Sequence, residues 1–104
     1  MRPFKIFISQ PMNGLSDEQI HKNRAEAEHS IRKEMGRDVH FIDSLIEDDA
    51  PSEAKNRPLW YLGVSIEMLA EADAAYFLDG WEDTRGCIME HEACKLYGVD
   101  IIKD

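Results

Sequence analysis

Four short apolar runs alternate with three stretches of helical periodicity, and no other feature constrains the fold of this chain as much. The runs are Lys5-Ile6-Phe7-Ile8, Val39 to Ile42, Ala74-Ala75-Tyr76-Phe77-Leu78 and Val99-Asp100-Ile101-Ile102. The third is apolar at every position, as a strand covered on both faces must be. Between the runs, Ile20, Ala27, Ile31 and Met35 recur at helical spacing, as do Leu59, Leu62, Ile66 and Leu69, and Cys87 to Tyr97 is helical in pattern. The punctuation agrees. Ser16 and Gln19 have the spacing of a capping box, Asp17 and Glu18 suit the positive end of a helix, and Pro58 suits a first helical turn. Gly36 and Gly98 are placed to stop the first and third helices. Asp43 to Arg57 is polar and contains Pro51, which predicts a loop with at most one helical turn. The order βαβαβαβ with short connections predicts a parallel sheet with helices on both faces.

A chain of 104 residues fits one domain spanning 1–104. Its 12 basic and 21 acidic side chains give a formal charge of −9, which argues against a binder of the nucleic-acid backbone. That charge still allows a small anionic ligand held locally by backbone N–H groups or one arginine. No apolar run approaches the ~20 residues that cross a bilayer, and Met1-Arg2-Pro3-Phe4-Lys5-Ile6 lacks the long apolar segment of a signal peptide. The chain therefore reads as cytoplasmic, without a membrane partner. Two cysteines are too few for a disulfide scaffold.

In parallel sheets of this kind ligands sit beyond the carboxyl ends of the strands. Here that rim comprises Ser9-Gln10-Pro11-Met12-Asn13-Gly14, Asp43-Ser44 and Asp79 to Gly86. The richest stretch runs from Asp79 to Glu92, crossing from a strand end into a helix N-terminus where free N–H groups favour anions. Gly86 admits a ligand close to the backbone, and Glu90 lies about one turn into the helix. From periodicity alone, Glu90 and Glu92 read as surface acids that favour the helix dipole.

Three segments carry a resemblance. The opening Lys5 to Gly14 is similar to a strand followed by a Pro-Met-x-Gly loop. Ser65-Ile66-Glu67-Met68-Leu69-Ala70-Glu71-Ala72-Asp73 is similar to a helix ending in Ala-Asp before a third strand. Gly80-Trp81, followed by Arg85-Gly86-Cys87-Ile88-Met89-Glu90, looks like a Gly-x-x-x-Glu motif. Over nearly its whole length the chain thus resembles the nucleoside 2-deoxyribosyltransferase-like superfamily, in particular its small DUF4406-like branch found in bacteria and their phages. With the alternation above, this leads to a flavodoxin- or Rossmann-like three-layer α/β sandwich with a parallel sheet of four or five strands, order 2-1-3-4.

The resemblance implies a function as well. It makes Glu90 the nucleophile that meets positive charge at the anomeric carbon when an N-glycosidic bond breaks. Relatives place an aspartate, as proton donor, where this chain has Ser65; Asp79 and Asp83 are the acids available to replace it. Relatives that act on monophosphates hold phosphate with hydroxyls and N–H groups of the first loop and the loop before the nucleophile, which here means Ser9, Asn13, Thr84, Arg85 and Gly86. Gln10, Met12 and Gly14 complete the first loop, and Trp81 is placed to stack on a base or to pack at the sheet edge or a subunit contact. The expected partner is a nucleoside or nucleotide, with no cofactor or metal, and relatives imply a homodimer or larger homo-oligomer. The alternative is a nucleotide-binding protein without turnover, favoured by Ser65. Two rival readings use the third helix: zinc bound by Cys87, His91 and Cys94, or Cys87 as nucleophile with His91 as base.

Overall fold

The structure, a computed structural model, describes residues 2–46 and 49–104. Its elements are β1 (Phe4–Ser9), α1 (Asp17–Met35), β2 (Val39–Phe41), α2 (Arg57–Leu69), β3 (Ala74–Phe77), a 3₁₀ turn (Trp81–Asp83), α3 (Arg85–Tyr97) and β4 (Asp100–Lys103). The four strands form one parallel sheet in the order β2-β1-β3-β4, as expected from the sequence. Phe4 pairs with Val39, Ile6 to Ser9 run beside Ala74 to Phe77, and a register shift between Ala75 and Tyr76 interrupts the β3–β4 ladder.

Two clusters cover the sheet. One joins Ile6, Ile8 and Tyr76 to Ala27 and Ile31 of α1. The other joins Phe7, Ala75 and Phe77 to Leu69 of α2 and Cys94 of α3. Alternate residues of β1 thus face opposite layers, which is why the run is apolar throughout. No helix among the described residues is long and apolar enough to cross a membrane.

The helix ends follow their sequence signals. The Ser16 hydroxyl accepts from the Gln19 amide at 3.2 Å, and the Gln19 side chain returns the bond to the Ser16 amide at 3.2 Å. Gly36 ends α1 at φ 60°, a left-handed conformation that costs glycine little. Asn56, not foreseen, caps α2 through the Leu59 amide at 3.0 Å, just ahead of Pro58. Asp73, of the Ala-Asp pair, braces the amino ends of β1 and β3, opposite the rim. Its Oδ2 accepts from the Lys5 amide at 2.8 Å, and its own amide donates to the Lys5 carbonyl at 2.8 Å.

Two local expectations change. The helix expected from Cys87 begins at Arg85, and the polar loop before it contains the 3₁₀ turn. Gly80 opens that turn at φ 92° with Pro11 Cγ 3.4 Å from where a Cβ would stand, so the first loop packs on it. The stripe Leu59, Leu62, Ile66, Leu69 of α2 buries only Leu69. The helix instead turns Ser65 toward the sheet and Tyr61 toward the preceding loop, where its hydroxyl accepts from the Ala50 amide at 3.1 Å. The Asp43–Arg57 segment is non-helical up to Asn56 wherever it is described, with a turn closed by the Ala54 amide on the Pro51 carbonyl at 3.0 Å; Glu47 and Asp48 lie outside the described residues.

Candidate functional site

The strand order sets the position of the site. From β1 the chain steps outward to β2, and from β3 it steps outward to β4 on the other side, so the connections leave in opposite directions at the neighbouring carboxyl ends of β1 and β3. Sheets of this kind open a crevice at that switch point. A cleft of ≈ 260 Å³, its open mouth included, lies there. Ser9 and Gln10 from the end of β1, Met12 from the loop beyond, Ser44 and Leu45 after β2, Ser65 of α2 and Glu90 of α3 line it.

Glu90 is buried because α3 lays Cys87, Glu90 and Cys94 on one face against the sheet. It is 7% exposed, and the fully buried Ser9 hydroxyl donates to its Oε1 at 2.6 Å. Burial pushes the Glu90 carboxyl above the usual carboxylate range, and the Ser9 and Ser65 hydroxyls beside it work in the opposite sense by favouring the charged form. The two thiols on the same helix face are pushed up to about 11, chiefly by burial, with the Glu90 charge adding to the effect.

Those thiols bear on the rival readings. A thiol held at about 11 is not a thiolate nucleophile near neutral pH. His91, its imagined base, stacks on Trp81 with ring centres 4.0 Å apart, and its Nε2 lies 2.9 Å from Asp104 Oδ2. Cys87, His91 and Cys94 are not among any group of three or more His, Cys, Asp and Glu side chains gathered closely enough for a metal in the described residues.

Of the residues expected at the site, Ser9, Gln10, Met12, Ser65 and Glu90 come together in the cleft. The others do not line it. Asn13 and Gly14 form an exposed turn, with the Leu15 amide on the Met12 carbonyl at 3.2 Å. Asp79 is fully exposed and lies 3.0 Å from Lys103 Nζ. Trp81 packs on Phe77 and His91, and Thr84 donates its hydroxyl to the Gly80 carbonyl at 3.3 Å. Asp83 and Arg85 are exposed, and the space beside the Gly86 Cα is open.

Arg24 was not foreseen. It is 7% exposed and sits behind the cleft, donating from Nε to Glu28 at 3.1 Å, from one terminal nitrogen to Ser44 Oγ at 3.1 Å, and from the other to the Ile42 carbonyl at 2.6 Å. Ser44 in turn donates to the Ile8 carbonyl at 3.3 Å. This chain of bonds ties α1, the end of β2 and β1 into one wall. The sequence did carry a signal, since Arg24 occupies the stripe position between Ile20 and Ala27 where an apolar residue belongs.

The model of one protein family, described as "Domain of unknown function (DUF4406)", matches residues 4–103, and the chain belongs to that family. No curated protein and no solved structure matches the chain.

Proposed function

We propose that this member of the DUF4406 family binds a nucleoside or nucleotide in the cleft at the end of β1, and that Glu90 acts on its N-glycosidic bond. One observation carries the reading: a carboxyl group buried at the switch point and held by a serine hydroxyl at 2.6 Å. The resemblance of the Pro11-Met12-Asn13-Gly14 loop and the Gly86 to Glu90 segment to the nucleoside 2-deoxyribosyltransferase-like superfamily supports it. In this reading an ionised Glu90 oxygen bonds to the anomeric carbon as the C–N bond breaks, and the electron pair leaves on the base nitrogen, which takes a proton from water. Water or a second base then attacks the same carbon and releases Glu90, completing hydrolysis or deoxyribosyl transfer.

The reading includes a cytoplasmic setting, in keeping with two free buried thiols, and a homo-oligomer. Leu59, Leu96 and Tyr97 support assembly, being 60%, 70% and 86% exposed on α2 and α3. Light scattering at micromolar concentration is expected to show at least two chains per particle, and a single-chain mass refutes it.

A second reading, binding without turnover, has its own support. Ser65 stands where a proton donor is expected, and Glu90 is the sole acid among the described residues lining the cleft. Incubation with deoxy- and ribonucleosides and their monophosphates, followed by assay for free base, separates the two. Turnover that falls ~10³-fold in Glu90→Gln while binding persists supports the nucleophile, because the loss then lies in the transition state. Glu92→Gln, exposed on the same helix, is the control and retains activity. Full activity in Glu90→Gln removes the assignment, whereas binding with no base release selects the second reading.

A further inference from the structure

β1 is apolar and fully buried at Ile6, Phe7 and Ile8, and then places a serine in an equally buried position, 1% exposed. Phe7 packs with Leu69 of α2 and Cys94 of α3, and Ser9, two residues further along the strand, faces the same layer. A hydroxyl there needs a partner, because an unpaired polar group in a buried position is costly. Glu90 of α3 is that partner: Ser9 Oγ donates to its Oε1 at 2.6 Å. The donor is held in place by the sheet itself. Ser9 pairs with Phe77 in the β1–β3 ladder, and its carbonyl accepts from the Leu78 amide at 3.0 Å.

The bond bears on the charge of Glu90. At 2.6 Å it has the length of an O–H···O⁻ bond to an ionised acceptor, shorter than is usual between neutral oxygens. Among the described residues no Lys, Arg or His forms an ion pair with Glu90. The titratable groups facing it are the Cys87 and Cys94 thiols of its own helix, held at about 11 and so neutral near pH 7. From β1 and α2 it meets the Ser9 and Ser65 hydroxyls, which favour the charged form against the burial that opposes it. Ser65 is half-buried on α2, whereas Ser9 is sealed from water.

We propose that Ser9 is a positioning residue for Glu90, its hydroxyl fixing the carboxylate in one orientation in the cleft and holding it in the ionised state. Attack on an anomeric carbon needs both. A neutral carboxylic acid lacks the charge that meets the developing cation, and a carboxylate free to rotate loses part of its alignment with the reacting carbon. The inference rests on Glu90 as the acting group of the cleft and adds the group that readies it.

The test is a pH titration of the whole chain, isotopically labelled at the glutamate carboxyl carbons and followed by NMR; the signal absent from Glu90→Gln identifies Glu90. Ser9→Ala loses one atom and leaves the backbone bonds intact, and Ser9→Thr retains a hydroxyl on a residue that suits a strand. In Ser9→Ala the Glu90 midpoint is expected to rise by about one pH unit or more, and in Ser9→Thr to return to within about half a unit of wild type. Where wild type releases base, the acid limb of kcat against pH should move up with the midpoint in Ser9→Ala. Above both midpoints, kcat should fall about tenfold with KM within about twofold of wild type. An unmoved Glu90 midpoint in Ser9→Ala overturns the inference even if the melting temperature falls, because a merely structural serine lowers stability without touching that titration. A midpoint raised equally in both variants overturns it too, since the hydroxyl is then not the cause, as does a kcat profile that stays at the wild-type limb while the midpoint moves. Absence of base release in wild type removes the nucleophile reading instead, and the titration still decides whether Ser9 holds the carboxylate.

Discussion

The two halves of the rim place their carboxylates in opposite surroundings. At the β1 half, Glu90 is buried and bonded to Ser9, and Arg24 holds Ser44 of the same cleft from behind. At the β3–β4 half, Asp79 stands fully in water beside Lys103, and the aromatic pair Trp81–His91 closes over Phe77. Both acids follow from the same strand-and-helix pattern and both lie beyond strand ends. Only the half at the switch point gains a wall on each side, from β2 and α2 on one flank and α3 on the other. Burial there gives a carboxyl a shifted pKa and fixed partners. Exposure at the outer half leaves it a solvated charge whose ion pair is worth little. Nearness to the rim therefore does not make a site residue; the topology decides which part of the rim becomes a cleft.

The largest effect that tests this contrast is expected at Arg24. Arg24→Met retains much of the side chain's apolar bulk but leaves the Ile42 carbonyl and the Ser44 hydroxyl without their donor. A cost of roughly 2–4 kcal/mol is expected, with the melting temperature falling by roughly 10 °C or more. The cleft half should loosen first, so hydrogen exchange should accelerate at the Ser44 and Ser9 amides before those of β4. Uniform acceleration, or none, contradicts a cleft braced from behind by Arg24.

That residue also marks where the sequence stops being legible. The alternation of runs was enough for the sheet and its helices, and the resemblance fixed the strand order, because both depend on patterns that many residues share. Glu90 was legible only through its motif; its periodicity alone placed it among surface acids. The direction in which α2 faces was not legible. Leu59 and Ile66 outnumber Ser65 in any hydrophobic count, yet Ser65 faces the cleft, because a polar partner inside it offsets the lost apolar contact. The choice between the two placements open to Trp81 was not legible for a related reason. A loop aromatic can stack on a ligand or on a neighbouring ring, and the choice depends on His91, ten residues on and one helix away. Such pairings arise from three-dimensional proximity, and spacing along the chain does not encode them.

A smaller effect, sharper in sign, is expected from the titration of Glu90. Its folded pKa lies above the ordinary value of 4.5, so between that value and the raised one the native state binds more protons than the unfolded chain. Stability therefore falls as pH rises through that window, and the full penalty for the buried charge is present above it. Glu90→Gln keeps an acceptor for Ser9 and removes the ionisation. Its melting temperature is expected to match wild type near pH 4 and to exceed it increasingly toward neutral pH. Parallel melting curves across the whole range contradict a carboxyl destabilised by burial, and with it the distinction between Glu90 and the exposed acids.

The smallest effect is expected at the outer half, and its smallness is what makes it informative. Asp79 was a candidate proton donor for the departing base, but its side chain is fully exposed and its one partner among the described residues is Lys103 on β4. An exposed pair is screened by salt and must order two flexible side chains, so Asp79→Asn should leave the melting temperature unchanged within measurement error at ordinary ionic strength. Base release, where wild type shows it, should persist at the wild-type rate, since no part of Asp79 lines the cleft. A collapse of turnover with unchanged stability is the result that breaks the comparison. It requires the loop from Asp79 to Thr84 to swing over the β1 half when ligand binds, releasing the Lys103 contact and the packing of Gly80 on Pro11. Lys103→Ala distinguishes that case: weakening the tether should then raise turnover, whereas a rim whose halves act separately leaves it unchanged.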